Sequence, residues 1–134
     1  MTKKKRKKKR TQNKVRNATI QGMRKAFAHF SPTYLEVVEK RRITKPRYLK
    51  DGITRHKVDE VWYSCSICNK LEKKLEVDHL DPVAPIGKSY KDMTLDEIYE
   101  RLDCPITNLQ GICKECHENK TALEKIKREE AKND

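Results

Sequence analysis

CSICNKLEKKLEVDHLDP, residues 65–82, and NLQGICKECHENKT, residues 108–121, decide how this chain folds. Cys65 and Cys68 form one C-x2-C pair, and Cys113 and Cys116 form a second. Four thiolates at that spacing close a tetrahedral zinc site. A metal with sulfur in all four positions keeps no open coordination for chemistry, so this zinc reads as a structural staple. Asp78 and His79 between the pairs, and His117 directly after the last cysteine, are not needed for the staple and require their own explanation. Cys104 lies outside both pairs and reads as a small buried residue.

The composition agrees with a metal-stapled unit. In 134 residues, 39% are charged and only 35% are hydrophobic, which leaves little for a large core. Metal binding substitutes for missing apolar burial in chains of this kind. One compact domain with tails is expected. The net charge of +12 is unevenly placed. Residues 1–16 hold ten Lys or Arg and no acid, so the remainder carries +2 (12 minus 10). No run of about 20 apolar residues suggests a membrane helix. No apolar stretch follows the N-terminal charges, so a secretory signal is not expected. Paired cysteines without an export signal favour zinc over disulfides and a cytoplasmic location, although a basic run such as KKKRKKKR also resembles a nuclear import signal.

Three segments follow from the pattern. Residues 1–16 read as a self-repelling tail, disordered until it meets a polyanion, with Lys3, Lys4, Lys5, Arg6, Lys7, Lys8, Lys9 and Arg10 available to phosphates. Residues 17–60 read as a helical extension. Ile20, Met23, Phe27 and Phe30 recur at helical spacing in it. Ser31 and Pro32 then start a second helix as N-cap and first residue, with Leu35, Val38 and Arg42 on one face and Val37 broadening it. Lys45-Pro46 ends that helix, and residues 44–60 read as a loop with a turn at Asp51-Gly52. Residues 61–134 form the metal-bearing part. Residues 61–63 are β-like, with Trp62 and Tyr63 read as core. Leu75, Val77 and His79 alternate with Glu76 and Asp78 as in a strand. Thr94 and Glu97 begin a helix with Leu95, Ile98 and Leu102 inward. Residues 108–112 are extended, and a last helix runs from Cys113 to about Lys132 with Leu123 and Ile126 inward. The fold class is α+β.

Asp78 and His79 are strand neighbours, so their side chains leave on opposite faces and cannot do one job. An imidazole near neutral pKa can take a proton from water, and a carboxylate with an imidazole can tether a divalent cation beside a phosphate. Lys120 and Lys125 face either phosphates or solvent, and Glu76 reads as a strand carboxylate that could support the site from behind. Tyr34 and Tyr48 have no assignable role.

LEVDHLDPV, NLQGIC and CKECHENKT, taken together and in that order, closely resemble the HNH endonucleases, the ββα-metal family, in the subgroup with a zinc-stapling cysteine quartet. The resemblance spans roughly residues 61–127, and the intervening LDEIYERLDC looks like an insertion in phage-encoded members. It implies a small ββα-metal domain that hydrolyses DNA phosphodiesters. His79 would be the general base, and Asp78 and His117 the ligands of the catalytic ion. Asn108 would fix the second strand or loop and orient His79, and Cys65, Cys68, Cys113 and Cys116 would hold zinc. Asn119 is a less favoured substitute for His117. The catalytic ion would be Mg2+ or Mn2+, with Ni2+ or Zn2+ also acceptable to such a donor set. DNA is the implied partner, in the host cytoplasm if the chain is phage-encoded. A non-catalytic zinc-knuckle module that binds nucleic acid is the alternative, and a protein–protein adaptor such as a phage packaging accessory is a third reading.

Overall fold

From the N-terminus the elements are α1 (Lys3–Phe30), α2 (Pro32–Glu39), β1 (Arg42–Lys45), β2 (Glu60–Ser64), β3 (Leu71–Glu72), β4 (Glu76–His79), α3 (Leu95–Leu102), β5 (Leu109–Ile112) and α4 (Lys114–Lys132). They are taken from a computed structural model, which describes residues 2–133. The architecture is α+β. β1, β2 and β3 form one antiparallel sheet in that order, and β4 pairs with β5 alone. The β4–β5 register sets Val77 opposite Gly111, Asp78 opposite Gln110 and His79 opposite Leu109.

Three small clusters replace a single core. Cys65, Leu75, Ile112 and Cys113 are buried together beneath the cysteine quartet. Tyr34 and Val37 from α2 cover Leu109, with Val77, Cys104 and Ile106 at the margin. Ile20 of α1 packs with Val83, Ala84, Met93, Ile98 and Leu102, so the segment between β4 and β5 is held against the first helix. Gly111 leaves room for Leu75: a Cβ there would lie 3.3 Å from the Leu75 side chain, while the Val37 carbonyl oxygen of α2, at 3.7 Å, would be in ordinary contact.

Several expectations change. Residues 3–16 are helical rather than disordered, continuing α1 without a break, with Thr2 as N-cap. Lys and Arg are good helix formers, and the turn anchored by Ile20 supplies the nucleus, so each further turn only propagates. Arg16 adds a tether, donating to the carbonyls of Tyr90 at 2.8 Å and Met93. The second helix stops at Glu39, and Arg42 lies in β1 instead, because Arg42–Lys45 has a partner in β2. Its inner face is Tyr34 and Val37, while Leu35 is exposed and Val38 half-buried. The loop over 44–60 keeps its Asp51-Gly52 turn, with Gly52 at φ 71° and the Asp51 carboxylate accepting from the backbone N–H groups of Ile53 and Thr54. Thr94 caps α3 as expected, and Ile98 and Leu102 are buried, but Leu95 is exposed. Leu123 and Ile126 are also exposed. Beyond its first turns α4 is held by polar contacts: Arg128 donates to the carbonyls of Ala84, Pro85 and Lys88. Cys104 is half-buried rather than enclosed. No helix among the described residues is long and apolar enough to cross a membrane.

Candidate functional site

The four cysteine sulfurs converge, all within 4.8 Å of one another. Cys65 and Cys68 come from the turn between β2 and β3, where Asn69 takes the left-handed φ of 62° that closes the knuckle. Cys113 is the N-cap of α4 and Cys116 lies one turn on. The separation of 3.8 Å between the Cys68 and Cys113 sulfurs equals the edge of a tetrahedron with arms of about 2.3 Å, the ordinary zinc–sulfur bond. Backbone N–H groups point at the sulfurs, from Cys113 to Cys65 at 3.3 Å and from Cys116 to Cys113 at 3.4 Å. Burial pushes the Cys65 thiol up, but the N–H groups of Cys68, Cys113 and Ile67 outweigh it and bring the thiol down to about 6. Cys116 is pushed up to about 12 by its side-chain hydrogen bond with Cys113, by burial, and by the neighbouring sulfurs of Cys68 and Cys65. Four thiols this close ionise together only around a dication, so the donor set fits zinc. Arg41 braces the knuckle from outside, donating through Nε to the Ser64 carbonyl at 2.7 Å and through Nη2 to that of Cys65 at 3.3 Å.

The second site is built on β4, β5 and the first two turns of α4. Asp78 and His79 leave β4 on opposite faces. The Asp78 carboxylate accepts from Gln110 Nε2 at 2.9 Å through Oδ2, and the same oxygen meets the Lys120 ammonium. Its other oxygen, Oδ1, faces His117 Nε2 across 3.9 Å. The far nitrogen of that ring, Nδ1, is bonded to Glu76, so Glu76 aims His117 at Asp78. A gap of 3.9 Å is shorter than two metal–ligand bonds of about 2.1 Å, so Asp78 and His117 could share a cation. Among the described residues no second group of three or more such side chains lies as close together as the cysteines. An ion here would therefore draw only two ligands from the preset side chains.

On the other face, His79 is half-buried against α2. Its Nε2 lies 2.7 Å from the Tyr34 hydroxyl, which is also 2.8 Å from the Leu102 carbonyl. Burial lowers the His79 pKa. Asp78 opposes this, and Arg24, Lys120 and Arg101 add to it, so the ring is neutral at pH 7. Because the folded ring titrates below the ordinary value of about 6.5, the unfolded chain takes up its proton first as pH falls. Stability present above pH ~6.5 is thus lost below it. Denaturant midpoints should fall more between pH 7 and pH 5.5 for the wild type than for His79→Gln. Equal falls would assign the sensitivity to other groups.

Asn108 works through the backbone rather than on the histidine ring. Its Oδ1 accepts from the Asp81 N–H at 2.8 Å, its Nδ2 donates to the Asp81 carbonyl at 3.3 Å, and its own carbonyl accepts from Leu80 at 2.8 Å. It clamps the chain directly after His79. Lys120, expected to meet phosphate or solvent, has its ammonium on Asp78 and on the His79 carbonyl, with Glu124 at 3.5 Å. Its i+3 spacing from His117 puts both on one helix face, a signal present in the sequence. Gln110 could have been found from the strand register. Tyr34 could not, since 45 residues separate it from His79 and no local pattern links them. Asn119 is exposed, Lys125 is exposed on α4, and the cations of residues 3–10 are exposed along the outer turns of α1. Comparison of the chain with protein-family models, with curated proteins and with solved structures finds no match.

Proposed function

We propose that this protein is a metal-dependent endonuclease of the HNH type that hydrolyses DNA phosphodiesters, with zinc on Cys65, Cys68, Cys113 and Cys116 as a structural staple. The observation that carries the reading is the placement of a half-buried His79 and an Asp78–His117 couple on opposite faces of β4, beside the cysteine quartet. His79 would take a proton from water as its oxygen attacks phosphorus and the bond to the leaving sugar oxygen breaks. Asp78 Oδ1 and His117 Nε2 would hold Mg2+ or Mn2+, which when bound supplies Lewis acidity to the phosphate and leaving oxygens. Lys120 and Gln110 fix Asp78 through Oδ2, leaving Oδ1 free for that task, and Glu76 fixes the ring of His117. Asn108 holds the chain beyond His79 in register. A phage origin and a role in host cytoplasm belong to the same proposal and rest on the insertion at residues 95–104. Supercoiled plasmid with Mg2+ or Mn2+ should be nicked, and EDTA should stop it. Intact plasmid under both conditions would instead support the zinc-knuckle DNA-binding reading, which is favoured by one observation: Lys120 already neutralises Asp78.

The exposed cations of α1 are assigned to DNA. Removing residues 2–13, which spares the Arg16 tether, should weaken binding and flatten the dependence of log K on log salt. The slope should change by about 0.9 for each phosphate that the shortened helix no longer neutralises. Turnover at saturating DNA should stay near that of the full chain. An unchanged slope would place the phosphate-binding cations in the folded body.

A further inference from the structure

We propose that Tyr34, carried by the helical extension, is the positioning residue that selects the tautomer of His79 and leaves Nδ1 as the proton acceptor. The tautomer selection stands on hydrogen-bond geometry, and its catalytic consequence rests on the endonuclease reading above. The Tyr34 hydroxyl has a single proton and two partners, His79 Nε2 at 2.7 Å and the Leu102 carbonyl at 2.8 Å. A carbonyl cannot donate, so the proton lies toward Leu102 O; placed toward His79, it would leave two lone pairs facing each other across 2.8 Å. The phenol oxygen then presents a lone pair to the imidazole, and Nε2 must carry the hydrogen. A neutral ring protonated at Nε2 has its lone pair on Nδ1.

Everything about Tyr34 resists rearrangement. Only 4% of it is exposed, and its ring meets the His79 ring edge-on at 5.5 Å and the Phe27 ring at 5.7 Å. Burial raises its pKa well above the ordinary phenol range, with the nearby Cys104 adding to the effect, so the hydroxyl remains a donor to Leu102. Leu102 ends α3, whose inner face packs on α1. The segment inserted between β4 and β5 and the N-terminal helices, already packed together around Ile20, therefore both act on His79 through this hydroxyl. They determine which nitrogen of a strand residue is free.

The test uses the full chain, zinc-loaded, with its histidines labelled with 15N, at a pH where His79 is neutral. Long-range proton–nitrogen spectra, with the His79 signals assigned through His79→Gln, should show the wild-type ring protonated at Nε2. Tyr34→Phe, matched for zinc content and circular dichroism, should show a mixture of the two tautomers. In the nicking assay that variant should lose roughly three- to tenfold in kcat, the worth of one hydrogen bond, with KM for DNA unchanged. A wild-type ring protonated at Nδ1 overturns the proposal with no variant needed, and so does a Tyr34→Phe spectrum identical to the wild type. A tautomer shift with no change in kcat removes the catalytic role of the lock. Wild-type protein that shows the expected tautomer and never nicks DNA overturns the endonuclease reading instead, so the two failures are distinguishable.

Discussion

Cys113→Ser is expected to unfold the stapled half of the protein rather than merely slow a reaction. Cys113 is buried, caps α4, accepts the N–H of Cys116 and sits in a cluster with Cys65, Leu75 and Ile112. That cluster has few apolar residues, so its cohesion depends on metal. Zinc binding in units of this kind is worth on the order of 10 kcal/mol and appears as folding free energy. Against a typical total stability of about 5–15 kcal/mol, loss of one ligand removes most of what holds the β2–β3 turn to the start of α4. Circular dichroism, thermal melting and zinc content of the variant measure this directly, and chelation of the wild type should give the same collapse. A variant with native spectrum and melting would show that the quartet is not a staple. Cys104→Ser serves as the control. Half-buried at the margin of the Tyr34 cluster and outside the cysteine quartet, it should melt close to the wild type.

The second large effect separates proton transfer from metal binding. His79→Ala should cut nicking about 10²–10⁴-fold, the usual worth of a general base, while the protein still binds Mn2+. The two functions lie on opposite faces of β4, so removing the imidazole leaves Asp78, Gln110, Lys120 and His117 in contact. Asp78→Ala and His117→Ala should instead weaken metal affinity, and raised Mn2+ should restore part of their activity. Isothermal titration of Mn2+ alongside nicking rates for the three variants decides the matter. Loss of metal from His79→Ala with retention by Asp78→Ala would exchange the roles. Wild-type nicking by all three would end the enzyme reading.

The cysteine quartet was legible because ligand spacing is local arithmetic: two residues between sulfurs dictate a knuckle whatever surrounds it. The strand β4, Glu76–His79, was legible for a similar reason, since alternation from Leu75 to His79 declares which residues share a face. Inferences from helical spacing held at Ile20, Ile98 and Leu102 and failed elsewhere. Leu123 and Ile126 fall at inward-looking intervals, yet α4 is fastened by Arg128 to loop carbonyls and exposes both. Leu95 fails likewise. β1 was hidden because RITK has no apolar alternation and owes its strand conformation to β2. Tyr34 was the largest omission. Its partner is set by how α2 lies on the β4–β5 pair, with Tyr34 and Val37 against Leu109, and no pattern in the chain near residue 34 encodes that crossing.

The Arg16 tether has a mechanical consequence. It fastens the first helix at a point beyond which residues 3–15 extend fully exposed. At 1.5 Å per residue this is a boom about 20 Å long. Eight consecutive cations, residues 3–10, occupy more than two helical turns, so charge radiates from its entire circumference. A boom of that kind needs no particular rotation to engage a polyanion, and its reach is fixed. For a duplex rising about 3.4 Å per base pair, the span is some six base pairs. The folded body would then sit at a set stand-off from the phosphates gripped by the outer end, like a gauge clamped to a rail.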